Sequence, residues 1–245
     1  MNCQNKTVLV TGATSGIGHA CVERFIAAGA HVVAVGRNPE RLAELSASYG
    51  AQCTVISYDL GDPDKLTELV SQLPALDGLV MSAGITKSNP IKFFNRKVFD
   101  ETLAINLITP VVLAVEITNA KKLRNNGSIV FLSSTNGTAG GVKGSLAYAT
   151  TKAALVGASK VLAAELSGKG IRVNCVAPAT ISSEMVLNYF SQLSEEAMQA
   201  DMQKYPLGKR YGKPSEVADL IAYLISDSSS FITGQTITID GGRSL

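Results

Sequence analysis

The segment TVLVTGATSGIG, residues 7–18, passes from an apolar stretch through a glycine-rich turn into a helical pattern. Glycines between a strand and a helix allow a tight turn and a close approach of the backbone to a ligand. The N-terminus of the following helix adds free N–H groups and a positive dipole end, which suit a pyrophosphate. The spacing is G-x-x-x-G-x-G and not the commoner G-x-G-x-x-G, so a tight turn without a ligand is the alternative.

The same alternation of strand and helix continues along the chain. Short, almost continuously apolar runs predict strands that are covered on both faces, at residues 7–11, 31–35, 54–57, 78–81, 128–133, 172–176 and 236–239. Helical periodicity separates them, at residues 16–28, 39–49, 62–72, 98–119, 147–167 and 214–225. This order predicts an α/β fold with a parallel sheet joined by right-handed crossovers.

Length and composition favour one globular domain over residues 1–245. Hydrophobic residues make up 46% and charged residues 17% of the chain, which excludes disorder. The net charge of +2 gives no electrostatic reason to expect nucleic acid or an anionic membrane as a partner. No run of 18 uninterrupted apolar residues occurs and the start is short and polar, so we expect neither a membrane helix nor a signal peptide.

The four cysteines are widely spaced and match no metal-binding pattern. Free, buried thiols in a reducing cytoplasm are the simplest interpretation of Cys3, Cys21, Cys53 and Cys175. Residues 181–211 differ from the rest, because they are richer in Met, Gln, Glu and Ser and lack a clear strand. We expect this segment, which lies between the last two strands, to cover a site.

The end of the second strand indicates which dinucleotide would bind. A site for NAD usually offers a carboxylate to the ribose here, whereas this chain has Gly36-Arg37-Asn38. Arg37 would instead pair with a 2′-phosphate, which favours NADP(H), unless it is an ordinary solvated arginine. Asp59, followed by Leu60 after the third strand, would accept a hydrogen bond from an adenine amino group or would cap the helix that begins near Asp62.

A serine, a tyrosine and a lysine follow the fifth strand. Tyr148 and Lys152 are four residues apart, so they share one helix face, and Ser134 lies fourteen residues before the tyrosine. An ammonium beside a phenol lowers the pKa of the phenol, as a general acid/base for carbonyl–alcohol interconversion requires. Ser134 would donate to the same substrate oxygen. A Tyr-x-x-x-Lys alone is a weak signal, and only its place after a dinucleotide turn favours this interpretation over surface residues.

Together these residues resemble the short-chain dehydrogenase/reductase family over nearly the whole chain. The resemblance rests on the turn at 11–18, on single residues along the chain and on the closing Gly234 and Asp240-Gly241-Gly242. It implies a single Rossmann-like, doubly wound domain with a seven-stranded sheet in the order 3-2-1-4-5-6-7. It also implies a catalytic set of Asn106, Ser134, Tyr148 and Lys152. The cofactor-binding positions that it implies are Gly12, Thr14, Ser15, Gly16, Ile17, Gly18, Arg37, Asp59, Leu60, Ser82, Ala83, Gly84, Tyr148, Lys152, Pro178, Ile181 and Ser183.

The family assigns a role to each catalytic residue. Tyr148 would be the acid/base, Lys152 would lower its pKa and bind the nicotinamide ribose, and Asn106 would hold a water of the proton relay. The backbone near Ile181 and the hydroxyl of Ser183 would hold the nicotinamide carboxamide. Without the resemblance, the simplest interpretation of Asn106 is a polar residue within a helix, and that of Ile181 and Ser183 is ordinary loop residues.

Three positions depart from the family pattern. Ser82 replaces an asparagine that commonly braces the central strands, and Ala179 replaces the glycine of a Pro-Gly pair, which limits backbone freedom. Ser15 stands where many NADP-preferring members have a basic residue, so the NADP preference depends on Arg37.

Within the family, short segments of this sequence are most similar to those of the 3-oxoacyl-acyl-carrier-protein reductases. They would dock an acidic carrier protein through basic residues beside the cleft mouth, for which the candidates are Lys121, Lys122, Arg124 and Lys169, with Asn125 at a usually basic position. A solvated basic face is the alternative. A dehydrogenase of small free alcohols, sugars or steroids and a non-catalytic dinucleotide sensor are the competing functions. The resemblance further implies a homotetramer, with contacts from the closing strand and the helices near 98–119 and 147–167.

Overall fold

The computed structural model describes residues 2–184, 186 and 194–245. Within these residues, seven parallel strands form one sheet in the order β3-β2-β1-β4-β5-β6-β7, which confirms the predicted fold class and strand order. The strands are β1 (Thr7–Thr11), β2 (His31–Gly36), β3 (Cys53–Ser57), β4 (Leu76–Met81), β5 (Leu123–Leu132), β6 (Arg172–Pro178) and β7 (Thr236–Ile239). The fifth strand therefore begins five residues earlier than the pattern predicted.

Helices connect successive strands and cover both faces of the sheet. They are α1 (Gly16–Ala27), α2 (Pro39–Tyr49), α3 (Leu66–Gln72), α4 (Arg96–Leu103), α5 (Thr109–Asn119), α6 (Thr135–Thr138), α7 (Leu146–Leu166), α8 (Glu195–Met202) and α9 (Pro214–Ile225). Single 3₁₀ turns lie at Gly50–Gln52, Pro63–Lys65, Ile91–Phe93, Ser167–Lys169 and Asp227–Ser229.

The sheet separates two hydrophobic clusters. On one face, α1 and α9 pack on the strands through side chains such as Phe25 and Ile221. On the other face, α3, α5 and α7 bury residues such as Leu69, Ile117 and Leu155. Because both faces are covered, the strands need no polar alternation, and every residue of β6 is buried.

The helix predicted at 98–119 is one continuous helical stretch with a wider turn inside it. A π-helical segment, Ala104–Ile108, joins α4 to α5, and such segments occur frequently at functional sites. By length and composition alone the 24 residues of Arg96–Asn119 would suit a bilayer, since they contain an 18-residue window with a mean hydropathy of 1.7. Leu113 and Ile117 of this stretch are nevertheless fully buried in the second cluster, as in a helix of a protein core.

The topology also determines where a ligand would bind. The strand order reverses between β1 and β4, whose residues pair in register from Val8 with Gly78 to Thr11 with Met81. In open α/β sheets, ligands bind beyond the carboxyl ends of the strands at such a reversal. The glycine turn and the loop after β4 meet there.

Candidate active site

The glycine turn is packed too closely to accept side chains at two of its positions. Gly12 has φ +67°, and a Cβ on it would lie 2.9 Å from the Cα of Ala83. A Cβ on Gly18 would collide with the carbonyl oxygen of Gly12. The two glycines therefore allow the start of α1 to lie directly against the ends of β1 and β4.

The N-terminus of α1 suits a phosphate group. The N-cap residue Ser15 is extended and its side chain makes no capping hydrogen bond to the helix, so it does not occupy the first amides. Gly16, Ile17 and Gly18, the first residues of this 12-residue helix, line the cleft beside β4. These residues fit the pyrophosphate of a dinucleotide, because backbone N–H groups and the helix dipole point to one place.

The cleft, with about 820 Å³ of space that is partly open to solvent, brings together most of the predicted positions. It extends from the glycine turn along the ends of β4, β5 and β6. The predicted residues that line it are Gly12, Ser15, Gly16, Ile17, Gly18, Ser82, Ala83, Gly84, Ser134, Tyr148, Lys152, Pro178, Ile181 and Ser183.

Ser82 preserves the brace that its substitution for asparagine was expected to remove. Its hydroxyl donates to the carbonyl of Thr11 at 2.5 Å, and the Thr11 hydroxyl accepts from the backbone N–H of Ala83 at 3.2 Å. The ends of β1 and β4 are thus joined by hydroxyl groups in place of an amide. The expectation of a lost brace was wrong, because a shorter side chain reaches when the two strands lie this close.

Four of the predicted cofactor-binding positions do not line this cleft. Arg37 is exposed and makes no ion pair with any described residue, and Thr14 packs against Gly36. Asp59 is exposed and accepts from the N–H of Gly61, while the buried Leu60 offers its carbonyl to Thr109.

The alternative interpretation of Asp59, as the cap of the helix that begins near Asp62, is wrong. Asp62 is the N-cap of the Pro63–Lys65 turn that leads into α3, and its side chain accepts from Asp64. The carboxylate of Asp59 instead accepts a hydrogen bond from the backbone N–H of Gly61, two residues further along, in a tight turn. The carboxylate of Asp59 is thus free of the helix.

Ser134, Tyr148 and Lys152 meet at the centre of the cleft. Ser134 follows β5, and its hydroxyl donates to the carbonyl of Pro178 at 3.4 Å. It lines the cleft together with the phenol of Tyr148. Lys152 is one turn further along α7 than Tyr148, with its Nζ 5.6 Å from the centre of the tyrosine ring. The ammonium donates to the carbonyl of Leu132 at 2.6 Å, which ties α7 to the end of β5.

Burial governs the protonation of this pair. It lowers the pKa of Lys152 to about 8, because a buried ammonium loses its hydration. Burial also raises the pKa of Tyr148, and the nearby hydroxyl of Ser134 opposes this only in part. The expected lowering of the Tyr148 pKa is not what the structure shows, since loss of hydration outweighs the neighbouring groups.

Asn106 lies behind the cleft and not on its surface. It sits in the π-helical segment, is completely buried, and exchanges two 2.8 Å hydrogen bonds with the backbone of Ile85. A Cβ on Gly84 would lie 3.3 Å from the Asn106 Oδ1 and 3.6 Å from the Lys152 Nζ, so both side chains flank this glycine. The side chain therefore positions the loop after β4 next to Lys152, and its role in a proton relay stays a prediction.

The loop after β6 forms the opposite wall of the cleft. Ala179 has no left-handed backbone conformation, so the glycine usual at this position is not required. Ile181 pairs with Gly212 in an isolated parallel bridge, and a Cβ on Gly16 would lie 3.3 Å from the Cβ of Ser183. The predicted carboxamide-binding residues thus lie directly across from the phosphate-binding turn.

A wider crevice of about 1800 Å³ opens on the other side of Ser134 and Tyr148. Its charged lining is mostly cationic, with Lys87, Lys143, Lys204 and Arg243 against Asp201. The sequence pattern does not indicate this group, because its members come from separate segments after β4, before α7, at the end of α8 and after β7. Described parts of the predicted covering segment 181–211 contribute Val186 and α8, whereas residue 185 and residues 187–193 lie outside the described residues.

The basic residues expected beside the cleft mouth lie elsewhere. Lys121 and Lys122 precede β5 and Arg124 begins it, while Lys169 precedes β6. Because Ser134 follows the carboxyl end of β5, these residues are at the opposite end of the sheet, about 20 Å away, which is the length of the neighbouring seven-residue β6 at about 3.3 Å per residue. Arg124 is paired with Asp77 there. Within one chain, the expectation that they border the cleft was wrong.

The fold and this site define a class, the dinucleotide-binding α/β oxidoreductases with a Ser-Tyr-Lys centre. Among the described residues, no group of His, Cys, Asp and Glu side chains is arranged to hold a metal ion. Residues 12–244 match the family model described as enoyl-(acyl carrier protein) reductase.

Named relatives cover almost the full chain. The 3-oxoacyl-[acyl-carrier-protein] reductase of Rickettsia felis is 38% identical over 97% of this chain and 96% of its own. The Thermotoga maritima protein of that name is 38% identical over 99% of each chain. A solved short-chain dehydrogenase/reductase from Brucella melitensis, titled glucose/ribitol dehydrogenase, is 35% identical and covers 99% of this chain and 98% of its own with a TM-score of 0.90. The chain belongs to the short-chain dehydrogenase/reductase family, whose cofactor is a nicotinamide dinucleotide.

Proposed function

We propose that this protein is an NADPH-dependent reductase of 3-oxoacyl thioesters presented on an acyl-carrier protein. The observation that carries the proposal is the position of Ser134 and Tyr148, which line both the dinucleotide cleft and the wide cationic crevice. A carbonyl group reaching from the crevice would meet the nicotinamide end of the cleft at these two hydroxyls. The names of the 3-oxoacyl reductase relatives agree with this chemistry.

The residues of the site suit reduction of a carbonyl group. When bound, the reduced dinucleotide supplies a hydride to the carbonyl carbon. Ser134 donates a hydrogen bond to the carbonyl oxygen, where negative charge develops, and Tyr148 gives its proton to the same oxygen. The raised pKa of Tyr148 keeps this phenol protonated at neutral pH, as a proton donor must be. The ammonium of Lys152 then stabilises the phenolate that remains.

The lining of the crevice supports an anionic substrate. A carrier-linked thioester hangs from a phosphodiester, which cationic side chains attract. Lys87 is paired with Glu101, and Lys204 and Arg243 share Asp201, the latter at 4.0 Å. Lys143 makes no ion pair with any described residue, so its charge is available to a substrate. A free sugar or steroid would make no use of this charge.

A change at Arg37 tests the coenzyme preference. Arg37→Gln is expected to weaken NADPH binding by about 10-fold to 100-fold, because a charge-assisted pair with the 2′-phosphate is worth about 1.5–3 kcal/mol. NADH binding should change by less than about twofold, since NADH has no such phosphate. Titration of coenzyme fluorescence with both dinucleotides measures this. Equal weakening of the two would contradict the proposed role of Arg37.

The substrate proposal is tested by a panel of carbonyl compounds with NADPH. We expect kcat/KM for acetoacetyl thioesters to exceed that for free ketones and sugars by at least about 100-fold, and Lys143→Gln to reduce it only for substrates with a phosphate. Lys160→Gln, a lysine on α7 outside the crevice lining, is the matched control. Equal rates with free sugars would contradict the thioester assignment.

A dehydrogenase of small free metabolites is the second candidate. The Brucella melitensis structure, whose title names glucose and ribitol, favours it. Such an enzyme would use the same Ser134 and Tyr148, so the substrate panel and not the fold separates the two candidates. A dinucleotide sensor without catalytic activity is a third candidate. The presence of both hydroxyl groups and the ammonium group, on Ser134, Tyr148 and Lys152, argues against it.

The remaining parts of the proposal concern the whole molecule. We propose a single domain over residues 1–245, in which 181–211 covers the substrate. We also propose a homotetramer in the cytoplasm, supported by exposed apolar side chains on the expected contact helices, namely Ile108, Leu146 and Val161, and on either side of the closing strand in the sequence, namely Phe231 and Leu245. The four cysteines are buried free thiols, which agrees with a reducing compartment.

A further inference from the structure

An ion pair crosses the outer side of the dinucleotide cleft. The guanidinium of Arg41, in the first turn of α2, donates to both carboxylate oxygens of Glu184 at 2.8 and 2.9 Å. The same guanidinium donates to the carbonyl of Thr14 at 3.2 Å. The two paired residues are 143 positions apart in the sequence, so no local constraint holds them together.

The contacts join the two walls of the cleft. Thr14 belongs to the phosphate-binding turn, while Glu184 directly follows Ser183 in the wall formed by the loop after β6. Ser183 already faces Gly16 across the cleft. Arg41 therefore bridges the turn and the opposite wall next to the place where the pyrophosphate would lie.

We propose that Arg41 and Glu184 form a clasp that holds these two walls together and slows the dissociation of the coenzyme. Both are positioning residues, since neither lines the cleft itself. The inference rests on the proposed function only in requiring that the cleft binds a nicotinamide dinucleotide, whichever substrate is reduced.

The strength of the clasp suits a contact that must open in each coenzyme exchange. A bidentate arginine–carboxylate pair has a defined geometry, which is the condition under which a surface pair contributes measurably. The side chains of Arg41 and Glu184 remain 39% and 60% exposed, so water can replace the contact when it opens. A fully buried pair would hold the cleft closed at a much larger cost of opening.

The test measures coenzyme dissociation by stopped-flow fluorescence. Arg41→Gln and Glu184→Gln are each expected to speed the dissociation of NADPH and of NADH by about three- to fivefold, and by the same factor for both. The charge-exchanged double variant, Arg41→Glu with Glu184→Arg, should recover most of the slow rate. Asp219→Asn is the matched control, because it breaks an exposed pair with Arg24 that lies outside the cleft lining.

Three results would overturn the clasp. Unchanged dissociation rates in both single variants would overturn the clasp. Slower dissociation of the coenzyme from Glu184→Gln would also overturn the clasp. Arg41 would then bind a coenzyme phosphate, and its ion pair with Glu184 would compete with that contact. Faster dissociation of NADPH but not of NADH in the Arg41 and Glu184 variants would also overturn the clasp. A selective weakening of NADPH binding is instead the separate prediction for Arg37→Gln, which concerns the 2′-phosphate. If coenzyme binding responds as expected while no carbonyl compound is reduced, the proposed function fails and the clasp stands.

Discussion

Replacing Tyr148 by phenylalanine is expected to lower kcat for carbonyl reduction by about 10³-fold, within the usual range for removal of a general acid. The variant loses only the hydroxyl, so the ring still fills the space between the cleft and the crevice. Coenzyme binding should change by less than about twofold, because the pyrophosphate contacts lie on the glycine turn. Steady-state rates of NADPH oxidation, together with coenzyme titration, separate the two effects.

The control for this change is Tyr223→Phe, since Tyr223 is a half-buried tyrosine that packs against the other face of the sheet. It should leave kcat unchanged. A Tyr148→Phe enzyme with the original rate would mean that another group, or solvent, protonates the substrate oxygen. The assignment of the acid would then be wrong, although the fold and the coenzyme cleft would be unaffected.

The positions of Ser134, Tyr148 and Lys152 could be predicted because local rules determine them. An i, i+4 pair must share a helix face, and a residue just after a parallel strand must lie at the carboxyl edge of the sheet. The glycine turn is local only in part, since Gly18 is required by its approach to the Gly12 carbonyl, whereas Gly12 is required by its approach to Ala83 after β4. The strand order followed from the family resemblance, and the sheet confirms it.

Features that depend on contacts between distant segments could not be read from the sequence. Nothing in the local pattern pairs Arg41 with Glu184, and the cationic crevice is assembled from separate loops. The consequence of Ser82 also depended on a distance between two strands that only the structure shows.

Protonation is the second kind of property that escaped prediction. The spacing of Tyr148 and Lys152 indicated a lowered pKa for the phenol, but the pKa depends on how much water reaches both groups. Lys152 is 3% exposed, so burial dominates its pKa. A sequence pattern identifies which charges are adjacent, and only the packed structure shows how far they are dehydrated.

The protonation of Lys152 gives a second large expected effect, on the pH dependence of the rate. Its pKa of about 8 means that the ammonium is lost as the pH rises through that value. Because the ammonium stabilises the Tyr148 phenolate, kcat/KM for reduction should fall above pH 8. Lys152→Met, which has no charge at any pH, should be about 10²- to 10³-fold slower and lack this inflection.

The same group predicts a linked change in stability. The folded protein releases the Lys152 proton near pH 8, whereas the unfolded chain keeps it to about 10.5, so the unfolded state binds more protons between these values. The contribution of Lys152 to the free energy of unfolding should therefore rise with pH in this window, by up to about 1.4 kcal/mol per pH unit. The buried thiols and Tyr148, whose pKa values burial raises, act in the opposite direction within the same window, so the contribution of Lys152 is measured as the difference between the wild type and Lys152→Met.

Denaturant unfolding at several pH values measures this difference, with Lys160→Met on the same helix as the matched control. A wild-type stability that follows the Lys152→Met curve from pH 8 to 10 would show that the ammonium is hydrated and that its pKa is ordinary. A rate inflection near pH 8 that persists in Lys152→Met would assign that titration to another group. Either result would remove the titration of Lys152 as the cause of the fall in rate above pH 8, because an ammonium with an ordinary pKa stays protonated throughout that range.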